Sequence, residues 1–346
     1  MSDVLARILA GDSLTESEAE DLLRQLAEGS VEPALSGAIL VALRLKGETA
    51  DEIRGFARGM RDLAVAPRLP VDVLGDAVDI VGTGGDGSGS LNLSTGSALL
   101  AAACGLTVVK HGNRSITSRS GSADVLAELG LPIPLDPQSA GQCLEHTGFT
   151  FLFAPHYHPA MKQLGKVRRA LGVRTLFNVL GPLTNPAQPP YHVIGAWSED
   201  VADSMAHCLA GMDIRRAFVV HGTPGWDEAT PCGPFTLLDV RPGEVVRQVR
   251  DPESLGIGRC RPEDLAGKTP SYNAGSLREA LTGTSGPHQD ALVLGAALAL
   301  EVTGRVCDPP AAVALARETI AGGAAGDLLE QLADFGTVVR DQVNGG

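Results

Sequence analysis

The chain has 346 residues, a formal net charge of −13, 44% apolar residues and 20% charged residues. This balance is typical of a folded globular protein and excludes a mainly disordered chain. The acidic charge and the lack of a dense Lys/Arg run argue against a nucleic-acid partner. They do not argue against a small phosphate compound, because a few local amides and cations can bind one.

The first residues carry an acid at Asp3 and no basic stretch of the kind that begins a secretory signal. No apolar run approaches the roughly 18 residues that a membrane span needs. We therefore expect a cytoplasmic protein with no membrane partner. The six cysteines show neither a C-x-x-C pair nor metal-type spacing, which predicts reduced, buried thiols.

Helical patterns alone occupy the chain up to about residue 70. Capping-box signatures of the form T-x-x-E stand at residues 15–18 and 49–52, and apolar residues follow each at helical spacing. An apolar stretch at residues 33–45 predicts a further helix between them. We predict a small all-helical domain over residues 1–70.

From about residue 75 the pattern alternates between short apolar strands and helices. Strands are predicted at residues 77–81, 107–110, 149–153, 192–196 and 217–220, followed by a hairpin-like pair at residues 235–240 and 244–249. This alternation predicts an α/β fold, in which a larger domain over residues 71–346 has a mostly parallel central sheet flanked by helices.

A glycine-rich loop, GTGGDG at residues 82–87, directly follows the first predicted strand. Glycines let the backbone approach a ligand closely, and their N–H groups can surround phosphate oxygens. The sequence NLSTG at residues 92–96 then opens a helix, whose N-terminus is a further anion site. The loop also satisfies G-x-G-x-x-G. A dinucleotide site is nevertheless disfavoured, because residues 101–107 hold no carboxylate where that fingerprint needs one.

A second polar loop, KHGNR at residues 110–114, follows the next predicted strand and continues into hydroxyl-rich residues up to 122. Lysine can act as a point charge on phosphate, and arginine as a two-pronged donor. Because the carboxyl ends of parallel strands lie at one edge of a sheet, we expect the two loops to form one anion-binding site.

Taken together, these motifs resemble those of the anthranilate phosphoribosyltransferase family. The resemblance rests on GTGGD, N-x-S-T, KHGNR and SGSADVL, and extends to FAP-x-x-HPAM at residues 153–161, a block at residues 167–186 and the pair Asp227–Glu228. The motifs follow one another in the expected order over almost the whole chain. The resemblance implies a homodimer and an active site between the two domains, with residues from about 160 to 185 contributing to the helical one.

The resemblance also implies a reaction, the transfer of a phosphoribosyl group from 5-phosphoribosyl 1-pyrophosphate (PRPP) to the amine of anthranilate in tryptophan biosynthesis. It implies Mg²⁺ as the cofactor, with Ser94, Asp227 and Glu228 as ligands, which agrees with the preference of magnesium for carboxylates and substrate phosphates. The PRPP-binding residues that it implies are Gly82, Gly85, Asp86, Ser90, Asn92, Leu93, Ser94, Thr95, Lys110, His111, Gly112, Asn113, Arg114, Ser115, Thr117, Ser118 and Ser122.

For anthranilate, the resemblance implies Arg168 as the partner of the carboxylate, a role that suits the forked guanidinium. The other implied acceptor residues are Gly82, His111, Asn113, Tyr157 and His158. Lys110 and Arg168 are the implied catalytic residues, Lys110 neutralising charge on the departing pyrophosphate. The aromatic amine is already a nucleophile at neutral pH, so a strong base is not required.

Alternatives stay open at this point. The acceptor could be a related aromatic amine, since the family usually has other residues at four positions, Ser90, Leu91, Trp226 and Gly295. A pyrimidine nucleoside phosphorylase-like enzyme would use free phosphate and would lack the block at residues 167–186. A silent nucleic-acid-binding relative would show a basic groove. Association with anthranilate synthase is unresolved.

Overall fold

The computed structural model of the protein describes residues 1–114 and 119–344. Its N-terminal part contains four helices, α1 (Ser2–Leu9), α2 (Glu16–Glu28), α3 (Pro33–Lys46) and α4 (Ala50–Asp62). Both predicted capping boxes are confirmed. The hydroxyls of Thr15 and Thr49 accept from the N–H groups of Glu18 and Glu52, whose carboxylates accept in return from the threonine N–H groups.

A seven-stranded sheet lies at the centre of the remaining chain, and its strands confirm the predicted ones with ends shifted by at most two residues. They are β1 (Val78–Gly82), β2 (Val108–Gly112), β3 (Phe149–Phe153), β4 (Tyr191–Gly195), β5 (Arg216–Gly222), β6 (Phe235–Arg241) and β7 (Glu244–Arg250). Their spatial order is β3-β2-β1-β4-β5-β6-β7. The first five strands are parallel, and β6 and β7 join them as an antiparallel hairpin.

This order contains a topological switch point. The chain moves outward from β1 through β2 to β3 and then returns to place β4 on the other side of β1. In open α/β sheets, ligands bind beyond the carboxyl ends of the strands at such a reversal. The fold therefore predicts a ligand-binding site at the loops that follow β1 and β4.

The remaining helices surround the sheet. They are α5 (Val71–Leu74), α6 (Leu93–Ala103), α7 (Ser122–Glu128), α8 (Pro137–Thr147), α9 (Ala154–Tyr157), α10 (Met161–Leu171), α11 (Phe177–Leu180), α12 (Glu199–Ala210), α13 (Pro270–Leu281), α14 (Pro287–Val302), α15 (Pro309–Ala321) and α16 (Ala324–Asn344). Short 3-10 turns occur at Gly181–Leu183, Pro252–Leu255 and Pro262–Leu265. No helix in the described part of the chain is both long and apolar enough to cross a membrane.

Two hydrophobic cores form on the two faces of the sheet, because successive strand residues point to opposite sides. Phe218 of β5 packs in the core that contains α6 and α14, whereas its neighbour Val219 packs in the core that contains α12 and the N-terminal helices. Leu164 of α10 and Phe177 of α11 belong to this second core. The segment that carries the predicted acceptor-binding arginine is thus packed with the N-terminal helices.

The cysteines divide by burial. The thiols of all six are free, as predicted. Burial is confirmed for Cys104, Cys143 and Cys208, whereas Cys232 and Cys260 are partly exposed. For Cys307 the prediction of burial is wrong, because this residue lies in the exposed turn between α14 and α15 rather than on the inner face of a helix.

Candidate active site at the carboxyl edge of the sheet

Glycines end four of the parallel strands, at Gly82, Gly112, Gly195 and Gly222. A Cβ atom at Gly82 or Gly195 would overlap Asp227, and one at Gly222 would overlap the carbonyl oxygen of Glu228. The segment that carries Asp227 and Glu228 therefore lies directly on the ends of β1, β4 and β5. Only glycine permits so close an approach at these positions.

The glycine-rich loop after β1 wraps around the same segment. Its glycines at 84, 85, 87 and 89 all have positive φ, between 60° and 76°, a conformation that other residues rarely adopt. The N–H of Gly84 donates to Oδ2 of Asp227 at 2.5 Å, and the N–H of Thr83 donates to the carbonyl oxygen of Gly195 at 3.0 Å. The loop is thus held in a fixed form over the switch point.

Three carboxylates lie close together here, that of Asp86 in the loop and those of Asp227 and Glu228 in the segment that it contacts. Asp86 accepts from the N–H of Asp227 at 3.4 Å and from the hydroxyl of Ser88 at 2.9 Å. Burial, reinforced by the charge of Asp86, raises the pKa of Asp227 to about 7. Burial and the charge of Asp227 raise the pKa of Glu228 to about 8. Such crowding of buried carboxylates is typical of a site that holds a cation.

Lys110 of β2 lies under these carboxylates. Its ammonium group donates to the carbonyl oxygen of Ile80 and lies 3.4 Å from Oγ of Ser94, and the side chain is almost fully buried. Burial lowers the pKa of Lys110, while the charges of Asp79 and Glu228 oppose that shift. In this position the ammonium is a counter-charge to the acidic cluster.

Asp79 of β1 is the buried anchor of the same region. Its oxygens accept from the N–H of His111 at 3.2 Å and from Nδ2 of Asn185 at 2.9 Å. Burial raises the pKa of Asp79 to about 6, and the charge of Lys110 acts in the opposite direction. Asn185 belongs to the predicted block at residues 167–186, so this contact joins that block to β1.

The N-terminus of α6 faces the carboxylates. The N–H of Ser94 donates to Oε1 of Glu228 at 3.1 Å. Asn92, just before the helix, accepts from Asn273 at 2.9 Å and from Ser120 at 3.1 Å. The hydroxyl of Thr95 is buried and has no hydrogen-bond partner among the described residues. Free donors at a helix N-terminus suit a phosphate group. Leu93 is buried, so only its backbone is available to a ligand.

The polar loop after β2 lies beside this helix. The hydroxyl of Ser122 donates to the carbonyl oxygen of Asn113 at 3.1 Å, and the guanidinium of Arg114 lies 3.5 Å from Asp124. Ser90, in the first loop, lies 3.1 Å from Ser88 through their hydroxyls. The predicted ligands Ser115, Thr117 and Ser118 lie outside the described residues.

Arg168 on α10 is the partly buried cation of the predicted acceptor side. Its guanidinium carbon lies 5.2 Å from the centre of the Phe177 ring, and burial lowers the pKa of Arg168. No acidic side chain of the described chain pairs with it. A cation that is held against an aromatic ring and lacks an anion is suited to bind a carboxylate.

The two predicted histidines lie together. The rings of His111 and His158 meet edge to face with their centres 5.2 Å apart. Burial lowers the pKa of His111 to about 3, so the ring is neutral. Nδ1 of His111 lies 3.1 Å from the carbonyl oxygen of Gly181, to which it donates, leaving Nε2 without a partner among the described residues.

Tyr157, another predicted acceptor residue, points with its hydroxyl into the core. The side chain is fully buried, and its hydroxyl donates to the carbonyl oxygen of Leu135 at 3.4 Å. Burial raises the pKa of Tyr157 well above its ordinary range. The contact with Leu135 directs the hydroxyl into the core. An acceptor-binding role for Tyr157 stays a prediction.

Arg174 is a contact residue that the sequence patterns did not single out as part of the site. Its guanidinium donates to the carbonyl oxygen of Gly85 and stacks on Trp197, 4.5 Å from the ring centre. Its own carbonyl oxygen accepts from Arg44 on α3. Arg174 therefore connects the glycine-rich loop, the segment after β4 and the N-terminal helices. Its place inside the predicted block was the only available signal.

Comparisons with known proteins agree with this geometry. Residues 2–64 match the model of the glycosyl transferase family helical bundle domain, and residues 74–326 match the model of the glycosyl transferase family a/b domain. The fold and the site thus define a glycosyl transferase. Anthranilate phosphoribosyltransferases of Desulforudis audaxviator and Rhodopseudomonas palustris are 44% and 43% identical, over 96% and 95% of this chain and 95% and 96% of theirs.

Solved structures give the same result. The anthranilate phosphoribosyltransferase of Thermus thermophilus superposes with a TM-score of 0.90 at 42% identity, over 97% of this chain and 99% of that one. The Saccharomyces cerevisiae enzyme in complex with PRPP and Mg superposes with a TM-score of 0.86 at 26% identity, over 97% of each chain. The chain belongs to the anthranilate phosphoribosyltransferase family.

Proposed function

We propose that this protein transfers the phosphoribosyl group of PRPP to the amine of anthranilate, forming N-(5-phosphoribosyl)anthranilate and pyrophosphate in tryptophan biosynthesis. The observation that carries the proposal is the acidic segment of Asp227 and Glu228, which lies on the strand ends between the glycine-rich loop and the N-terminus of α6. This arrangement offers donors for phosphates and carboxylates for a cation in one place.

On the donor side, the residues supply mainly backbone N–H groups and hydroxyls. The loop around Gly85 and the first turn of α6 suit the pyrophosphate, because a glycine-rich turn and a helix N-terminus are both typical phosphate-binding elements. The unpaired hydroxyl of Thr95 supports a ligand at this helix. The full set of PRPP-binding residues named above is proposed on the same basis, with Ser115, Thr117 and Ser118 by sequence alone.

Magnesium fits the donor set. Asp86, Asp227 and Glu228 supply carboxylate oxygens of the type that Mg²⁺ prefers, and burial followed by like charge raises the pKa of Asp227 and Glu228, which a bound cation would offset. No three His, Cys, Asp or Glu side chains of the described residues form a complete metal site. Ser94, Asp227 and Glu228 would therefore share the ion with substrate oxygens. When bound, the ion supplies positive charge that favours departure of the pyrophosphate.

Lys110 has a supporting role in this proposal. Its ammonium is almost fully buried beside Ser94, so direct contact with pyrophosphate would require the side chain to move. The position of the ammonium favours a role in which Lys110 offsets the charge of Glu228 and Asp227. It would hold the acidic segment in its ionised, cation-binding form.

On the acceptor side, Arg168 would bind the carboxylate of anthranilate with its forked donors. Asn113 and Gly82 would complete the acceptor site on the sheet side. His111 is neutral, and its Nε2 lone pair has no partner among the described residues, but the atom is buried, so a hydrogen bond from the amine would require the ring to move. The low pKa of His111 makes it a poor base, which agrees with a nucleophile that needs orientation rather than deprotonation before attack.

The reaction then follows from positioning. The bond from the anomeric carbon to pyrophosphate breaks, the bond to the amine nitrogen forms, and the nitrogen loses its extra proton afterwards. Holding two substrates in line supplies much of the rate enhancement, and excluding water prevents hydrolysis of the sugar. Arg168 and Arg174 both come from the segment packed with the N-terminal helices, so the same packing orients the acceptor and covers the donor loop.

The test follows the loss of anthranilate fluorescence with purified protein, PRPP and Mg²⁺. We expect loss only when all components are present, and in Arg168→Ala a rise of about 10- to 100-fold in the KM for anthranilate. Arg169→Ala is the matched control, because Arg169 lies on the same helix and is exposed. Pyrophosphate release with another aromatic amine, but not with anthranilate, would show that anthranilate is not the acceptor. Activity only with a nucleoside and free phosphate would show that the protein is a phosphorylase and not a phosphoribosyltransferase.

The domain division, the cellular location and the homodimer are further parts of this proposal. For the division into residues 1–70, with a contribution from about 160–185, and residues 71–346, the support is the packing of Leu164 and Phe177 with the N-terminal helices. The cytoplasmic location rests on the sequence. For the homodimer, exposed apolar residues are the support: Leu9 on α1 is 68% exposed and Leu45 on α3 is 79% exposed, on helices that pack together. Light scattering on the purified protein would test it. A monomer mass at micromolar concentration would contradict it.

A further inference from the structure

Two cysteines that are 28 residues apart in sequence meet beside the active site. The sulfur atoms of Cys232 and Cys260 lie 3.7 Å apart, and both thiols are free and partly exposed. The N–H of Cys260 donates to the carbonyl oxygen of Pro231 at 3.3 Å, so the backbones are joined as well. The other four cysteines contact a hydroxyl, a carbonyl or a thioether group instead.

Each cysteine belongs to a segment that supports the site. Cys232 follows Glu228 by four residues, on the stretch that lies against the strand ends. Cys260 precedes a stretch that pairs with the glycine-rich loop: the N–H of Leu91 donates to Leu265, and the N–H of Gly267 donates to Gly89, both at 2.8 Å. The thiol pair thus lies where the stretch after Glu228 meets the stretch that precedes the partner of the glycine-rich loop.

We propose that Cys232 and Cys260 are a redox modification site, at which a hydroperoxide converts the two thiols into a reversible disulfide. The thiolate of Cys232 attacks the peroxide oxygen, forming a sulfenic acid and releasing water after protonation. The sulfur of Cys260 then attacks the Cys232 sulfur and displaces hydroxide, which leaves as water with the Cys260 proton. In balance, two thiols and one hydrogen peroxide give one disulfide and two waters.

The order of the two steps follows from the surroundings. Burial, and after it the neighbouring Cys232, raises the pKa of the Cys260 thiol, which favours Cys260 as the second thiol to react. A disulfide has a sulfur separation of about 2.05 Å, so the two sulfurs must approach by roughly 1.6 Å. That movement draws the stretch after Glu228 toward the stretch that holds the glycine-rich loop.

The effect on activity rests on the proposed function, because it assumes that these segments bind PRPP. We expect the oxidised protein to show at least a threefold rise in the KM for PRPP, an unchanged KM for anthranilate, and recovery on reduction with dithiothreitol. An unchanged KM for PRPP in fully oxidised protein would overturn the coupling to the site. The covalent chemistry is measured separately and does not depend on which substrates the protein uses.

The experiment treats the full-length protein with hydrogen peroxide, blocks the remaining thiols with iodoacetamide, and maps the peptides by mass spectrometry. We expect a cross-linked peptide pair containing Cys232 and Cys260, lighter than the two thiol peptides by two hydrogen atoms. In Cys260→Ser, we expect a sulfenic acid on Cys232 that dimedone traps. Cys307→Ser is the control, because Cys307 is exposed and lies outside the pair, and it should keep the cross-link.

Two results would overturn the proposal. One is alkylation of Cys232 and Cys260 at the same rates after peroxide treatment as before it. The other is a cross-link that involves Cys307 of a second molecule instead. If the serine variants fail to fold, as judged by circular dichroism, mapping of the unmodified sequence before and after peroxide still decides between a disulfide and two separate oxidised thiols.

Discussion

Arg174 donates a hydrogen bond to the carbonyl oxygen of Gly85, although 89 residues separate them in sequence. The same guanidinium stacks on Trp197, and Arg44 of α3 donates to the Arg174 carbonyl oxygen. Gly85 has a φ of +74°, which glycine adopts without strain, so contacts from outside the loop select this form among the many that a glycine can take. Arg174 is therefore a positioning residue for the donor loop.

Replacing Arg174 should loosen that loop without removing a substrate ligand. In Arg174→Ala we expect the KM for PRPP to rise about tenfold, equivalent to about 1.4 kcal/mol, and the KM for anthranilate to change little. Arg174→Lys should recover little, because an ammonium cannot both stack and donate in the same plane. Steady-state kinetics with each substrate varied in turn measures both effects. A larger change for anthranilate than for PRPP would place Arg174 at the acceptor instead.

The strand-end glycines offer a steric test. A methyl group at Gly195 would overlap the backbone of Asp227, so Gly195→Ala should lower the free energy of unfolding by about 1–3 kcal/mol and abolish most activity. Gly258→Ala is the control, since Gly258 is exposed and a Cβ there meets no atom within 4 Å. Denaturant unfolding and the fluorescence assay measure the two effects. Equal stability for both variants would contradict the contact.

The acidic cluster predicts opposite effects on stability and activity. In Glu228→Gln the amide oxygen still accepts from the N–H of Ser94, while one of three crowded charges disappears. In the presence of a chelator we expect this variant to be more stable by about 1–3 kcal/mol, because it removes a carboxylate whose charged form is disfavoured first by burial and then by the charge of Asp227. We also expect kcat/KM to fall by roughly 100-fold or more.

Thermal unfolding with and without PRPP and Mg²⁺ checks this trade-off. The unmodified protein should gain stability from the two ligands, and Glu228→Gln should gain much less. Glu263→Gln, which changes an exposed carboxylate, should behave like the unmodified protein. If Glu228→Gln is less stable than the unmodified protein without ligands, the carboxylate is a structural group and the prediction is contradicted.

His192 gives a pH prediction. It is fully buried on β4, and burial lowers its pKa from 6.5 to about 3. Between those values the unfolded chain binds a proton that the folded protein does not. The contribution of His192 to stability is therefore complete above pH 6.5 and falls as the pH drops below it. From about pH 7.5 to about pH 5.5, His192→Leu should lose about 1.4 kcal/mol less stability than the unmodified protein.

Urea unfolding of the two proteins across this pH range measures the difference. Subtracting the profiles removes the contributions that both share, including that of the buried Asp79, whose pKa is raised and whose effect has the opposite sign. Parallel profiles would mean that His192 has the same pKa in the folded and the unfolded state.

Local patterns predict much of this fold. The capping boxes at Thr15 and Thr49 depend on residues three positions apart, and the strands depend on short apolar runs with glycine after them. The acidic pair Asp227–Glu228 and the glycine-rich loop could be found in the same way, because each is contiguous. Their meeting at one edge follows from the parallel order of the strands.

The sequence could not predict in which direction a side chain points or which distant residues come into contact. Lys110 stands in a polar motif, yet its ammonium turns inward to Ile80, because a strand residue next to an acidic cluster can satisfy its charge there. Tyr157 is, like His158, a predicted acceptor ligand, yet its hydroxyl donates to the carbonyl oxygen of Leu135 in the core. No spacing rule connects Arg174 to Gly85. Each of these depends on the packing of distant segments.

The glycines at the ends of β1 and β4 give the sheet a further role. Gly82 and Gly195 are partners in the register of these strands, and Asp227 needs both positions free of side chains, Gly82 for its carboxylate and Gly195 for its backbone. A slip of one residue between the strands would move Gly195 by about 3.3 Å and bring the side chain of Ile194 or Ala196 against that backbone. Correct strand alignment and assembly of the catalytic edge are therefore one event, so a misaligned sheet is also an inactive one.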